Sequence, residues 1–91
     1  MAQISEKVFK IVKENIRVTW DYDDEIIEQS IREGISKIEN ICGRCDFDEN
    51  ATAQKLLKEY VRYDWNGVSL YFEPNFKREL LQLQLNNAME V

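Results

Sequence analysis

The sequence predicts an all-α protein, a small bundle of about four helices with a long second helix and a C-terminal helix. Two observations predict it. Amphipathic periodicity at helical spacing returns four times along the chain. Only one Pro and three Gly interrupt the 91 residues, each where a helix would start, stop or pack closely. One pattern points elsewhere: the alternation Leu81-Gln82-Leu83-Gln84-Leu85 taken alone suits a strand. It sits among good helix formers, with Phe76, Leu80 and Leu83 at helical spacing, so a helix is expected there too.

The first helix is expected over Glu6–Asn15, with Ser5 as N-cap and Ile4 placed to staple against Phe9. Val8, Ile11, Val12 and Ile16 mark its stripe. Residues 17–22 break the pattern and read as a short extended linker. Asp21 or Asp23 then caps the second helix, with Asp24 and Glu25 against its positive end. That helix runs over Asp24–Cys42, with Ile27, Ile31, Ile35, Ile38 and Cys42 on one face and Ile41 beside them. Glu28–Arg32 and Glu33–Lys37 are i,i+4 pairs on its outer face. Gly43 ends it. Gly34 sits within the stripe at a cost of about 1 kcal/mol against Ala, and a close helix crossing is the simplest reason for it.

The third helix begins near Asp48 or Asn50 and ends near Trp65, where Asn66-Gly67 stops it. Its stripe is Ala53, Leu56, Leu57, Tyr60 and Val61. Val68–Phe72 is either another helical turn or an extended connector. Pro74 suits the first turn of a final helix that reaches at least Met89.

Composition bounds the function. Residues 1–91 make a single domain, small enough for assembly or a partner to help a marginal core. With 44% hydrophobic and 32% charged residues the chain suits a folded domain rather than a disordered one. Its apolar runs are too short for a membrane span. Met1-Ala2-Gln3-Ile4-Ser5-Glu6 lacks the basic-then-apolar pattern of a secretory signal, so synthesis and retention in the cytoplasm are expected. Net charge is −5, which disfavours a protein built to wrap the DNA polyanion. Lys7, Lys10, Lys13 and Arg17 gather on the first helix and read as a solvated face. There is no histidine, which removes the commonest general base and the commonest zinc ligand. No enzyme, cofactor or metal site is expected.

Cys42-Gly43-Arg44-Cys45 is a CxxC, but a structural zinc needs four ligands and no further Cys or His exists. A redox dithiol wants a helix N-terminus, and this pair falls at a C-terminus whose dipole opposes a thiolate. Cys42 reads as a small core residue and Cys45 as a loop residue. The acidic run Asp21-Tyr22-Asp23-Asp24-Glu25 lacks the spacing and glycine of a calcium loop.

Two features resist so plain an account. Asp64 lands inside the apolar stripe of the third helix, near its negative end. Either the helix has frayed there or Asp64 meets a cation from elsewhere. The last helix carries two stripes, one of Phe76, Leu80 and Leu83, the other of Leu81, Leu85, Ala88 and Met89, roughly 100–140° apart. A helix at the surface of a monomer needs one. This one is either central to its own bundle or shared with another surface.

The chain resembles the phage head–tail connector family, the small helical adaptors of long-tailed phages and prophages. The resemblance runs from Asn15-Ile16-Arg17-Val18-Thr19 into Asp23-Asp24-Glu25-Ile26-Ile27 and the helix bearing Ile31, Ile35 and Ile38. It continues through Leu56-Leu57, Tyr60-Val61-Arg62-Tyr63, Asn66, Phe72 and Phe76 to Leu80-Leu81-Gln82-Leu83-Gln84. These are patterned positions and include no catalytic signature; Cys42-Gly43-Arg44-Cys45 departs from the pattern. The resemblance implies a structural virion protein that assembles as a ring beneath the portal protein and extends the DNA channel. It would meet a tail-side completion protein, with DNA as passing, non-specific cargo. Its place would be the head–tail junction, after synthesis in the bacterial host. An acidic wall suits a channel through which DNA slides.

By this reading the contacts between subunits fall on Tyr63, Trp65, Phe72, Phe76, Leu81, Leu85 and Met89. Arg62 and Arg78 meet acids of the adjacent subunit, and Asp64 joins the same surface. The alternative is a small helical adaptor that docks another protein through its aromatic C-terminal face. A DNA-binding helix–turn–helix is a third reading, disfavoured by charge.

Overall fold

Five helices and a 3-10 turn follow one another without a strand among the described residues, which are 4–89 of the computed structural model. The reading of Met1-Ala2-Gln3 lies outside them. Helix α1 spans Glu6–Asn15, α2 Asp24–Cys42, α3 Ala51–Trp65, α4 Phe72–Asn75 and α5 Lys77–Met89, with the 3-10 turn at Ser69–Tyr71. The all-α bundle expected from periodicity is the fold. No helix among the described residues is long and apolar enough to cross a membrane.

The helix ends follow from local chemistry. Ser5 Oγ accepts from the Val8 amide at 3.1 Å and donates to the Asp48 carboxylate, so one hydroxyl caps α1 and ties it to the α2–α3 loop. Asn50 Oδ1 caps α3, accepting from Thr52 and Ala53 amides at 3.1 Å each. Gly43 and Gly67, at φ 87° and 75°, end α2 and α3.

The expected extended linker after α1 is instead a tight cap. Arg17 takes φ 61°, its amide bonds to Glu14 O at 3.1 Å and the Val18 amide reaches Lys13 O at 3.1 Å. That is the same pair of bonds that Gly67 and Val68 make at the end of α3, to Asp64 O and Tyr63 O. Burial of Val18 holds the α1 turn despite the absence of glycine. Asp23 precedes α2 without capping it: its carboxylate accepts from Trp20 Nε1 at 2.7 Å.

The core lies where α2, α3 and α5 meet, closed by α1. Ile27, Ile31, Ile38 and Cys42 of α2 face the whole α3 stripe of Ala53, Leu56, Leu57, Tyr60 and Val61, all buried. A Cβ on Gly34 would stand 2.7 Å from Tyr60 Cδ1 and 2.8 Å from Leu57 Cδ1, so α2 and α3 approach closely at this glycine. Phe47, in the loop before α3, joins the core.

Two expected charge placements change. Lys37 pairs with Glu73 at 3.3 Å rather than with Glu33, which ties α2 to α4. Lys13 is not simply solvated: it bridges Asp24 at 2.7 Å and Asp21 at 3.0 Å, the Asp24 bond foremost in raising its pKa.

Candidate interaction surface

The final helix is interrupted where sequence predicted continuity. Pro74 lies inside the short α4, and Phe76 leaves helical geometry at φ −114° before α5 begins. The bend swings Phe72 and Phe76 back onto α3. Phe72 meets Tyr60 edge-on at 5.2 Å and stacks on Phe76 at 5.2 Å, while Tyr63 meets Phe72 and Phe76 edge-on at 6.2 and 5.6 Å. The crowded aromatic junction is therefore an internal hinge that fixes the direction of α5.

This divides the residues assigned to subunit contacts. Phe72 is 0% exposed and reaches no neighbour. Tyr63 and Phe76 are half-buried in the cluster, and Tyr63 Oη accepts from Asn75 Nδ2 at 3.1 Å. Arg62 is engaged by its own helix, bonded to Glu59 at 2.7 Å and lying over the Tyr63 ring. Asp64 neither marks a frayed end nor meets a cation: α3 continues through Trp65, and the carboxylate accepts from Ser30 Oγ at 2.7 Å. Ser30, a buried hydroxyl on α2, makes room for an acid inside the stripe, and sequence reading missed it. Periodicity places Ser30 on the inner side of α2 but says nothing of what it faces.

Trp65, Arg78, Leu81, Leu85 and Met89 remain at the surface. The two stripes of α5 separate cleanly. Leu80 and Leu83 are buried against α2 and α3, whereas Leu81, Leu85 and Met89 are 54%, 52% and 83% exposed. Leu81 borders a shallow open depression with Pro74, Asn75, Lys77, Arg78 and Glu79. A second depression shares Pro74 and Lys77 with it and adds Leu70, Ser69 and the paired Lys37 and Glu73, so the apolar stripe grades into a mixed rim with a small excess of cations. Neither Lys77 nor Arg78 has an ion-pair partner among the described residues.

The cysteines anchor α5 to the end of α2. Cys42 Sγ donates to Leu80 O at 3.2 Å, and Asn87 Nδ2 donates to Cys42 O at 2.9 Å and contacts Cys45 Sγ at 3.5 Å. Burial pushes both thiols up, away from the thiolate that redox exchange or metal binding requires. Among the described residues no three metal-ligating side chains come together.

Comparison with known families, curated proteins and solved structures finds no match.

A further exposed apolar group lies at the α1–α2 corner, where sequence reading expected only a linker. Tyr22 and Ile26 are 82% and 61% exposed, and Trp20 stacks on Tyr22 at 5.8 Å. Ile26 stands one position from the buried Ile27, off the α2 stripe. That offset was the available signal.

Proposed function

We propose that this chain is a structural subunit of the phage head–tail junction, a connector-type protein without turnover. It assembles as a ring on the portal protein, continues the DNA channel and presents a platform to the tail-side completion protein. DNA is passing cargo for it, in keeping with a net charge of −5.

The observation that carries the assembly part is the exposed second stripe of α5. Leu81, Leu85 and Met89 stand in solvent on a helix whose other stripe already closes the core. An apolar row left over after folding marks an association surface. The phage assignment itself rests on the resemblance running from Asn15 to Gln84.

Sedimentation of the purified chain over a concentration series, with electron microscopy of the concentrated sample, tests the reading. The expected result is growth into closed rings with a central opening. A chain that stays monomeric at the highest attainable concentration, or stops at two copies, contradicts it.

A further inference from the structure

A closed ring requires a heterologous interface, in which one patch on each copy meets a different patch on the next. The α5 stripe is one such patch, so the fold must supply a second of complementary shape and charge. The α1–α2 corner has the required chemistry. Around Trp20, Tyr22 and Ile26 lie Asp21, Asp23, Asp24 and Glu25, opposed by Lys13 and by Arg17 at the end of α1, which leaves the corner net acidic. The α5 stripe carries the opposite sign by a smaller margin: Lys77 and Arg78, one helical turn before Leu81, outnumber Glu79 beside them.

The two patches lie too far apart to satisfy each other within one molecule. Leu80 and Asn87 hold α5 to Cys42, at the C-terminal end of α2. Ile26 stands in the first turn of that same helix. Sixteen positions separate Ile26 from Cys42, and eleven separate it from Lys37, which shares a depression with Lys77; at a rise of about 1.5 Å per residue the α5 patch begins roughly 16 Å along the axis from the corner. An acidic apolar patch at one end of α2 and a basic apolar patch at the other propagate head to tail.

We infer that the α5 face of one copy, Lys77, Arg78, Leu81 and Leu85, docks on the Trp20, Tyr22 and Ile26 corner of a second copy of this chain. This rests on the ring reading above and supplies its two mating surfaces. The corner acids receive the two α5 cations, which makes the contact salt-sensitive.

Two variants test the pairing, each breaking one patch: Leu81→Ser with Leu85→Ser, and Tyr22→Ser with Ile26→Ser. All four side chains are exposed, so circular dichroism and the melting temperature of each variant in dilute solution match those of the wild type. The expected result is that each variant alone is monomeric where the wild type assembles. Their equimolar mixture gives a species of two chains, one of each kind by native mass spectrometry, which grows no further and dissociates as salt rises. If either variant still pairs with itself, the contact is isologous and the inference falls. If the wild type forms rings but the mixture stays monomeric, the corner is not the partner, while the ring reading stands. A wild type that never associates overturns both.

Discussion

Helices α3 and α5 are neighbours of similar length, and they dispose of their apolar residues in opposite ways. Every stripe residue of α3 is buried, and even its misplaced acid, Asp64, finds an internal partner in Ser30. Helix α5 buries Leu80 and Leu83 yet leaves Leu81, Leu85 and Met89 in water. Removal from water contributes about 1.5–3 kcal/mol for each large apolar side chain. Helix α3 devotes that contribution to the fold, whereas α5 commits Leu80 and Leu83 to it and leaves the other stripe exposed. The aromatic hinge of Tyr60, Tyr63, Phe72 and Phe76 makes the division possible, because it fixes which side of α5 turns inward.

Substitutions break or sharpen this contrast. Phe72→Ala removes the centre of the hinge and costs about 3–5 kcal/mol, read by urea unfolding. Leu83→Ala costs about 2–5 kcal/mol by the same measurement, whereas Leu81→Ala, one helical step from the buried Leu80, stays within about 0.5 kcal/mol. Equal losses at Leu81 and Leu83 would erase the distinction between the stripes.

Gly34→Ala probes the seat of α3 on α2. Helix propensity favours alanine by about 1 kcal/mol, but overpacking a closed core costs typically about 1–3 kcal/mol. The methyl would meet Tyr60 and Leu57, which are held by the hinge and the core, so a net loss of up to about 2 kcal/mol is expected in thermal melts. A gain in stability would show that the crossing yields.

The smallest effects come from the two matching helix caps. Gly67→Ala forces a side chain into a left-handed turn and lowers stability by about 1 kcal/mol. Arg17→Gly relieves that same strain at the end of α1; against the greater freedom of glycine in the unfolded chain, a gain of about 0.5 kcal/mol remains. Opposite shifts in melting temperature are the check.

Much of the fold was legible because its determinants are local. The stripes of α1, α2 and α3, the cap at Ser5, the glycine stops and the close approach at Gly34 all follow from spacing and backbone freedom. The two stripes of α5 were legible for the same reason, as was the plain role of Cys42 as a core residue. What sequence could not supply depends on tertiary placement. The bend at Phe76 turned three of the aromatic residues expected at a neighbour, Tyr63, Phe72 and Phe76, inward. The Ser30–Asp64 bond joins residues 34 positions apart. The corner at Trp20 and Tyr22 was read as a linker because Arg17 adopts a conformation that usually needs glycine.

In the proposed ring, one stripe of α5 belongs to the fold and the other to a neighbour. Sedimentation of Leu81→Ser/Leu85→Ser beside the wild type, with both samples also melted in dilute solution, tests it most directly. The variant is expected to melt within about 4 °C of the wild type, since 1 kcal/mol corresponds to roughly 4–8 °C in a domain of this size, and to fail to associate at concentrations where the wild type does. A variant that melts more than about 8 °C lower while still associating would place the second stripe in the fold and contradict that division.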